Sequence, residues 1–484
     1  MKITIKIFIL FLAISAFTNS EKAYGQINNY WSMGSNTSAS LLGGAVIGGG
    51  AGDIAIFYNP AAIRIEDQKQ IAFNASLLNF DLHNYKNALG YDRNLEYLEW
   101  GVKPRFLSYK FRIKDKEKWN YQIAMFSRED QLIELWDYET VKVNSQVGNH
   151  EMDYTASYDL NRRYKDYWFG LGGSYIFSPN FSVGLTLFGS AKSLRYSQSS
   201  IIDLDPLLPS ISDNSSWSSI EKQSLYTISL IPKLGLLYHK GQFGIGLSIT
   251  LPSIRLWGDG NNKRIIRYSN VYVQGQKQDD FLKSDYNNYM VATIKEPLAV
   301  SLGLTYKSKN KRSEYYFTAE YFAPIKTYRM LDNTKISGWG QEENSPGSDF
   351  LSMKYGAKQI TNIAVGYRHK INDNFFILGG MKTNFSAYDP SSDDEWKDMN
   401  KYIIAIPSLY HISSGVQFKY KANTVIIGAE FTFGEEKNAK QLSNYGYPGI
   451  FDKDKHIALQ NNPEYTMEYS SSSLGFYIGY TFDF

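Results

Sequence analysis

The chain of 484 residues contains no cysteine, and this absence excludes a disulfide framework, a thiol nucleophile, a thiolate metal site and a lipid anchor on an N-terminal cysteine. Charge of one sign is lacking as well. A formal net charge of +3 falls closer to zero once three lysines and one glutamate in residues 1–25 are set aside, which argues against nucleic acid or another polyanion as partner. Long apolar runs are scarce: beyond the first 25 residues and the stretch 41–63, nothing approaches the roughly 18 apolar residues of a membrane helix. The six histidines, at 83, 150, 239, 369, 411 and 456, show no metal-ligand spacing, and there is neither a G-x-S-x-G elbow nor a Gly-Lys-Ser/Thr phosphate loop. The sequence therefore leads to no expected catalytic residue, no metal and no cofactor.

What is present begins with an export signal. Lys2 and Lys6 precede an apolar run from Ile7 to Phe17, and small residues follow near Ala23 and Gly25. Residues 1–25 read as a signal peptide, with a cut near Gln26 or, alternatively, near Ser20. Aromatic residues make up 15% of the chain, including 38 tyrosines, and the mean hydropathy of −0.36 is that of a water-soluble protein.

The dominant pattern has a period of two. Phe243, Ile245, Leu247, Ile249 and Leu251 alternate with Gly, Ser and Thr only, and the same rhythm returns at 181–187, 298–306, 363–367 and 425–433. Fourteen strands are expected, near residues 70–81, 103–113, 118–128, 165–177, 180–197, 225–238, 241–256, 296–308, 312–328, 360–370, 374–386, 408–420, 423–435 and 473–484. Turn-like joins such as Ser178-Pro-Asn180 and Lys421-Ala-Asn423 alternate with joins of about 20 to 40 residues. A secreted sandwich also alternates, but short turns on one side and long loops on the other are the habit of a transmembrane barrel, which closes because lipid gives a free sheet edge no hydrogen-bond partner. The expectation is an all-β, transmembrane antiparallel β-barrel over residues 68–484, in the outer membrane of a Gram-negative bacterium, as a monomer. The last strand ends on Phe484, a terminal aromatic of the kind read by the outer-membrane insertion machinery.

The stretch LLGGAVIGGGAGDIAIFYNPAAI, residues 41–63, admits three readings. A membrane helix is opposed by Gly48, Gly49, Gly50 and Pro60. A dinucleotide turn fits G-x-G-x-x-A over 50–55, without the strand-helix-strand context it requires. Thirdly, the order Gly43-Gly44-Ala45, the glycine tract, Gly50-Ala51-Gly52-Asp53, then Phe57-Tyr58-Asn59-Pro60-Ala61 resembles the N-terminal segment of the long-chain fatty acid outer-membrane transporters, which include aromatic hydrocarbon channels.

That resemblance implies a small plug inside a fourteen-stranded barrel, spanning residues 26–67 here. Gly43, Gly44, Gly48, Gly49, Gly50, Gly52, Asp53, Asn59, Pro60 and Ala61 would serve plugging and gating. It further implies passive uptake of hydrophobic small molecules, long-chain fatty acids among them, and capture of ligand by an apolar third outer loop. Here that loop would be Ile201 to Ile211, with Ile201, Ile202, Leu204, Leu207, Leu208 and Ile211. In the family, ligand can leave sideways at a kink in the third strand; Trp119 to Glu129 has no glycine or proline to mark one.

Alternation turns Lys233, Glu320, Arg368, Lys382, Lys419 and Glu430 toward the lumen, as an ion-pair network or, for Arg368 and Lys382, as acceptors of a ligand carboxylate. Charged loop stretches such as 391–395 and 452–454 are solvated surface or contacts to lipopolysaccharide. Two other classes of function stay open: a receptor or adhesin barrel that only displays loops, and a lipolytic enzyme using His411 with Ser413 or Ser414.

Overall fold

Residues that alternate large apolar with small polar side chains form strands buried on one face and greasy on the other, and such strands close on themselves when both sheet edges are paired. The computed structural model describes residues 29–31, 36–64, 69–114, 116–145, 150–207, 214–337, 342–344, 349–387 and 407–484. The expected signal peptide lies outside them.

The barrel has fourteen antiparallel staves. The first six are β1 (Gln70–Lys86), β2 (Leu95–Phe111), β3 (Trp119–Asn144), β4 (Glu151–Ser178), β5 (Phe181–Pro206) and β6 (Ser215–Lys240). Four staves are each broken once: β7 (Phe243–Thr250, Ile254–Ser269), β8 (Phe281–Ala292, Ala299–Lys307), β9 (Ser313–Phe322, Ile325–Ser337) and β10 (Met353–Ala357, Ile360–Lys370). Then follow β11 (Phe375–Asn384), β12 (Leu409–Tyr420), β13 (Asn423–Ala439) and β14 (Met467–Asp483). Three of the breaks carry a proline, Pro252, Pro297 or Pro324, which cannot donate to the ladder. The cylinder is sealed by β14 against β1, from Gln70↔Asp483 to Lys86↔Glu468.

Two tiers follow from strand length. A bilayer needs only about 9–11 residues per tilted strand, whereas β3, β5 and β6 have 26 residues and β4 has 28. In the tier next to the short turns, Phe169, Leu171, Leu185, Leu187, Leu234, Leu236, Ile245 and Leu302 point outward and are exposed. A belt of this kind is stable in lipid rather than water. Its lower rim is a run of stacked rings, Trp119, Tyr121, Phe111, Tyr109, Phe484 and Phe482, the aromatic girdle expected at a membrane boundary. The terminal phenylalanine thus belongs to the girdle, and its backbone pairs with Lys69.

The outer tier corrects the expected loop lengths. Above the belt, outward positions turn polar, as with Asn161 and Arg163 on β4, while the strands continue. The connections after β1, β3 and β5 therefore span only 87–94, 145–150 and 207–214. Ile201 and Pro206 lie within β5 rather than in a loop. Ile202 and Leu204 face the interior and are buried, Leu207 follows the strand and is exposed, and Leu208 and Ile211 lie outside the described residues. The interior of this tier is packed with tyrosines, among them Tyr85, Tyr154, Tyr158, Tyr196, Tyr268 and Tyr469.

Among the described residues no helix is long and apolar enough to cross a membrane. Within 41–63 there are only short turns, with α1 (Thr37–Leu41) just before and α2 (Ala55–Tyr58) inside. The inward face of the lower tier is small and polar, for example Asn74, Ser108, Gln122, Ser182, Thr186 and Ser248, and residues 36–63 pack against it.

Candidate functional site

The N-terminal segment is built from caps and glycines. Asn36 caps α1 by accepting from Ala39 N at 3.0 Å, and its amide donates to the Asp53 carboxylate at 3.2 Å. The other Asp53 oxygen accepts from Thr481 Oγ1 of β14 at 3.1 Å, and its carbonyl accepts from Ser108 of β2 and Gln122 of β3. Asn59, fully buried, caps the turn Pro60–Ala62 by accepting from Ala61 N at 3.1 Å, while its amide donates to Ile47 O at 2.9 Å and Leu236 O of β6 at 3.0 Å. Ser182 Oγ of β5 donates to Ala61 O, and Ser413 Oγ of β12 to Ser40 O. Strands on all sides hold the segment.

Replacing Asn59 by alanine takes the amide donor from the buried Ile47 carbonyl and the part-buried Leu236 carbonyl and uncaps the turn, an expected loss of about 2 kcal/mol or more. Thermal melting of the detergent-solubilised barrel checks it.

Close backbone approach explains the glycines on both partners. A Cβ on Gly48 would sit 2.7 Å from the carbonyl carbon and oxygen of Gly303 on β8, and one on Gly43 2.7 Å from Met381 O of β11. Gly43 and Gly44 also hold φ of 64° and 75°, which residues with a β-carbon rarely adopt. Gly49 and Gly50, at φ of 140° and 83°, lie against His239 and Tyr316, while a Cβ on Gly52 meets nothing within 4 Å.

On the outer side of this segment lies a chamber of about 50 Å³, walled by Tyr30, Trp31, Phe57, Tyr58, Trp168 and Phe322, with Arg128, Lys233, Glu296, Glu320 and Lys382 among them. The charges differ in how they are held. Lys382 pairs with Glu430 at 3.8 Å, and Trp31 Nε1 donates to Glu320. Arg368, expected here, instead stands near the β10–β11 turn, 3.7 Å from Glu314 and over the Phe376 ring, and Lys419 stands exposed over the same ring. Strand position decides this: Arg368 lies three residues before one turn and Lys419 two before another. Lys233, 5% exposed, makes no direct ion pair or hydrogen bond among the described residues; Glu320 of the same chamber is the carboxylate that acts on it without contact, and its ammonium sits 5.0 Å from the centre of the Phe57 ring.

The pair considered for hydrolysis is arranged otherwise. His411 is buried in the lumen, its Nδ1 bonded to Glu430 at 3.1 Å and to Thr432 at 2.8 Å, while the Ser413 hydroxyl is directed to backbone carbonyls and Ser414 to Leu378 O. No cluster of three metal-ligating side chains occurs among the described residues.

The third strand supplies what its composition did not announce. Ser127 pairs with Tyr167 and Glu129 with Asp166, so Arg128 is an extra residue in the ladder, and the bulge turns consecutive side chains, Arg128 and Glu129, inward. Beyond the bulge β3 keeps β4 as partner but loses β2: the β2–β3 ladder runs only from Phe111↔Tyr121 to Phe106↔Phe126. Between Leu95–Arg105 and Ser127–Asn144 the wall therefore lacks a ladder. Behind this gap is a second cavity, of about 130 Å³, lined by Asp81, His83, Glu99, Arg105, Glu129 and Asp130 among other polar residues, and by Arg128. Outside it, Leu98, Trp100 and Val102 are exposed.

A third cavity, of about 220 Å³, lies at the outer end, lined by Met152, Leu204, Val271, Tyr447, Phe451 and Leu459 with a few polar neighbours. The connection 440–466 roofs it, tied down by Tyr447 Oη to Asn144 O, Trp217 Nε1 to His456 O and Tyr154 Oη to Leu459 O. Burial pushes the nearby Tyr445 phenol up to about 12 and that of Tyr154 higher still, so both rings stay neutral. Leu204 thus lines an outer apolar cavity, although from a strand.

Sequence reasoning passed over Arg128, Asp166, Lys192 and Glu296. Asp166 and Trp168 already alternate with the outward Tyr167 and Phe169 inside the expected strand 165–177, so that period places Asp166 inside, and Tyr164 and Arg162 continue the same buried face upstream. The bulge has no comparable signal, since no glycine or proline falls between Trp119 and Glu129 to mark it.

These features define a fourteen-stranded barrel with the N-terminal segment enclosed and a gap beside the third strand, and its fold is like that of FadL-type barrels. Among solved structures, a Pseudomonas aeruginosa FadL homologue is similar at TM-score 0.54 and 12% identity, covering 96% of this chain and all of that one. The CymD monoaromatic hydrocarbon channel gives 0.53 at 11% identity over 94% and 99%, and the Pseudomonas putida toluene transporter TodX gives 0.51 at 12% over 96% and 99%. At such identities the likeness concerns the fold. No protein-family model and no curated protein matches the sequence.

Proposed function

We propose that the protein is an outer-membrane channel for passive uptake of hydrophobic small molecules, including long-chain fatty acids. Residues 26–67 act as a plug that shifts to let ligand pass, and residues 68–484 form the barrel. Ligand is captured in the outer apolar cavity at Leu204, moves into the aromatic chamber, and leaves either past the plug or through the gap between β2 and β3. Lys233 takes the role first considered for Arg368 and Lys382. A buried ammonium that touches no carboxylate, with Glu320 acting on it only at a distance, is costly to hold, and a ligand carboxylate entering the chamber would bond it directly. The Phe57 ring beneath it belongs to the plug, so capture of an anion would loosen a contact that holds the plug in place.

The single observation that carries the reading is the buried Lys233, in direct contact with no carboxylate, above the plug in an aromatic chamber. The likeness to hydrocarbon channels of the same fold supports it. The test is uptake of labelled oleate and of pyrene into liposomes bearing the purified protein. Uptake no faster than with a plugless-family barrel of equal size that lacks an aromatic chamber would favour the receptor or adhesin reading; oleate ester hydrolysis lost on His411→Ala would favour the enzyme.

A further inference from the structure

The inner chamber and the wall cavity have one charged side chain in common, Arg128. Its guanidinium stands 2.8 Å from Glu296 and 3.6 Å from Asp166, donates to Tyr30 O at 3.0 Å, and covers the Trp168 ring at 4.9 Å. Lys192 completes the group, bonded to Glu296 and 3.7 Å from Asp166. Two cations and two carboxylates, all buried, form a balanced set drawn from β3, β4, β5 and the break in β8. None of them lies on the N-terminal glycine stretch, yet through Tyr30 the set reaches the chain that leads into it.

We propose that Arg128 is the partition between chamber and side opening, and that this partition sorts ligands by charge. The inference rests on the channel reading above. Held by Glu296, Arg128 closes the passage toward the wall cavity. Beyond it the lining sets Asp81, Glu99, Glu129 and Asp130 beside Arg105 and Arg128, with Asp130 also paired to Arg163 at 3.6 Å; a carboxylate entering there is added to acids where water is scarce, which disfavours it. Neutral hydrophobes and amphiphiles with neutral or cationic heads take the side route; carboxylates are retained at Lys233 and leave past the plug. The bulge is what makes the partition, since without the extra residue Arg128 and Glu129 would not both face inward.

The test compares Arg128→Ala, and Arg128→Gln combined with Glu296→Gln, in liposomes. The double variant keeps the remaining Lys192–Asp166 pair balanced, so it folds if the single variant does not. Pyrene uptake is expected to rise about fivefold or more, the lower range for loss of a coupling between two sites, while oleate uptake does not rise. Because the chain has no cysteine, Glu99→Cys with Gln131→Cys can be bridged by a bismaleimide across the gap, and the bridge should abolish the gain. Pyrene uptake unchanged in the folded double variant, a rise shared equally by oleate, or a gain that survives the bridge each overturns the inference with the channel reading intact. Absence of any uptake by the unmodified protein overturns the channel reading itself.

Discussion

Replacing Gly303 with valine is expected to unseat the N-terminal segment while leaving the barrel folded. Valine is a better strand former than glycine, so on β8 alone the substitution should strengthen the sheet by up to about 1 kcal/mol. The inward Cβ, however, is aimed at the Gly48 amide and at Ile47. Two backbones packed this tightly cannot part without breaking the Asn59 bonds to Ile47 and Leu236. Overpacking costs about 1–3 kcal/mol or more, enough to raise the unseated population roughly 5- to 150-fold. Limited proteolysis from the periplasmic side, read by mass spectrometry, should show new cuts within 40–60. Gly379→Val is the control, because a Cβ there meets only Ser413 O at 3.8 Å. Equal protection in both variants would mean that the glycine contacts do not hold the segment.

Lys233→Met is expected to separate stability from ligand binding. Methionine matches the length of lysine and suits a site beside Phe57 and Trp168. Removing a buried ammonium that has no direct ion pair should stabilise the folded barrel by about 1 kcal/mol or more. Oleate, losing a charge-assisted bond of about 1.5–3 kcal/mol, should bind roughly 10- to 150-fold more weakly. Pyrene, which has no head group, should bind unchanged. Calorimetric titration of both ligands with a melting curve decides it; equal loss for the two would point to collapse of the chamber instead.

Much of this architecture was legible because lipid and protein impose opposite demands on the two faces of each strand. Phe243 to Leu251 declares its outward face without ambiguity, and Phe484 ends a strand whose rings join the girdle. The glycine-rich stretch was legible for a different reason: Gly43, Gly48 and Asn59-Pro60 mark where two backbones touch. The outer tier was harder to read. There the outward face meets water and the inward face is tyrosine-rich, so the contrast weakens, and strand residues such as Ile202 and Leu204 look like an apolar loop. The wall gap was not legible at all, because it depends on a missing partner for β3, and a missing partner leaves no residue to find. Nor does sequence distinguish Lys233 from Lys382; only the carboxylate of Glu430, contributed from another strand, does.

The account turns on movement of the N-terminal segment during transport. Asp53 and Thr481 touch across the segment and β14, and in a chain without cysteine, Asp53→Cys with Thr481→Cys forms the sole disulfide under oxidation. Oleate uptake into liposomes should stop in the oxidised protein and resume on reduction. Equal uptake in both states, with the disulfide verified by mass, would contradict a moving plug.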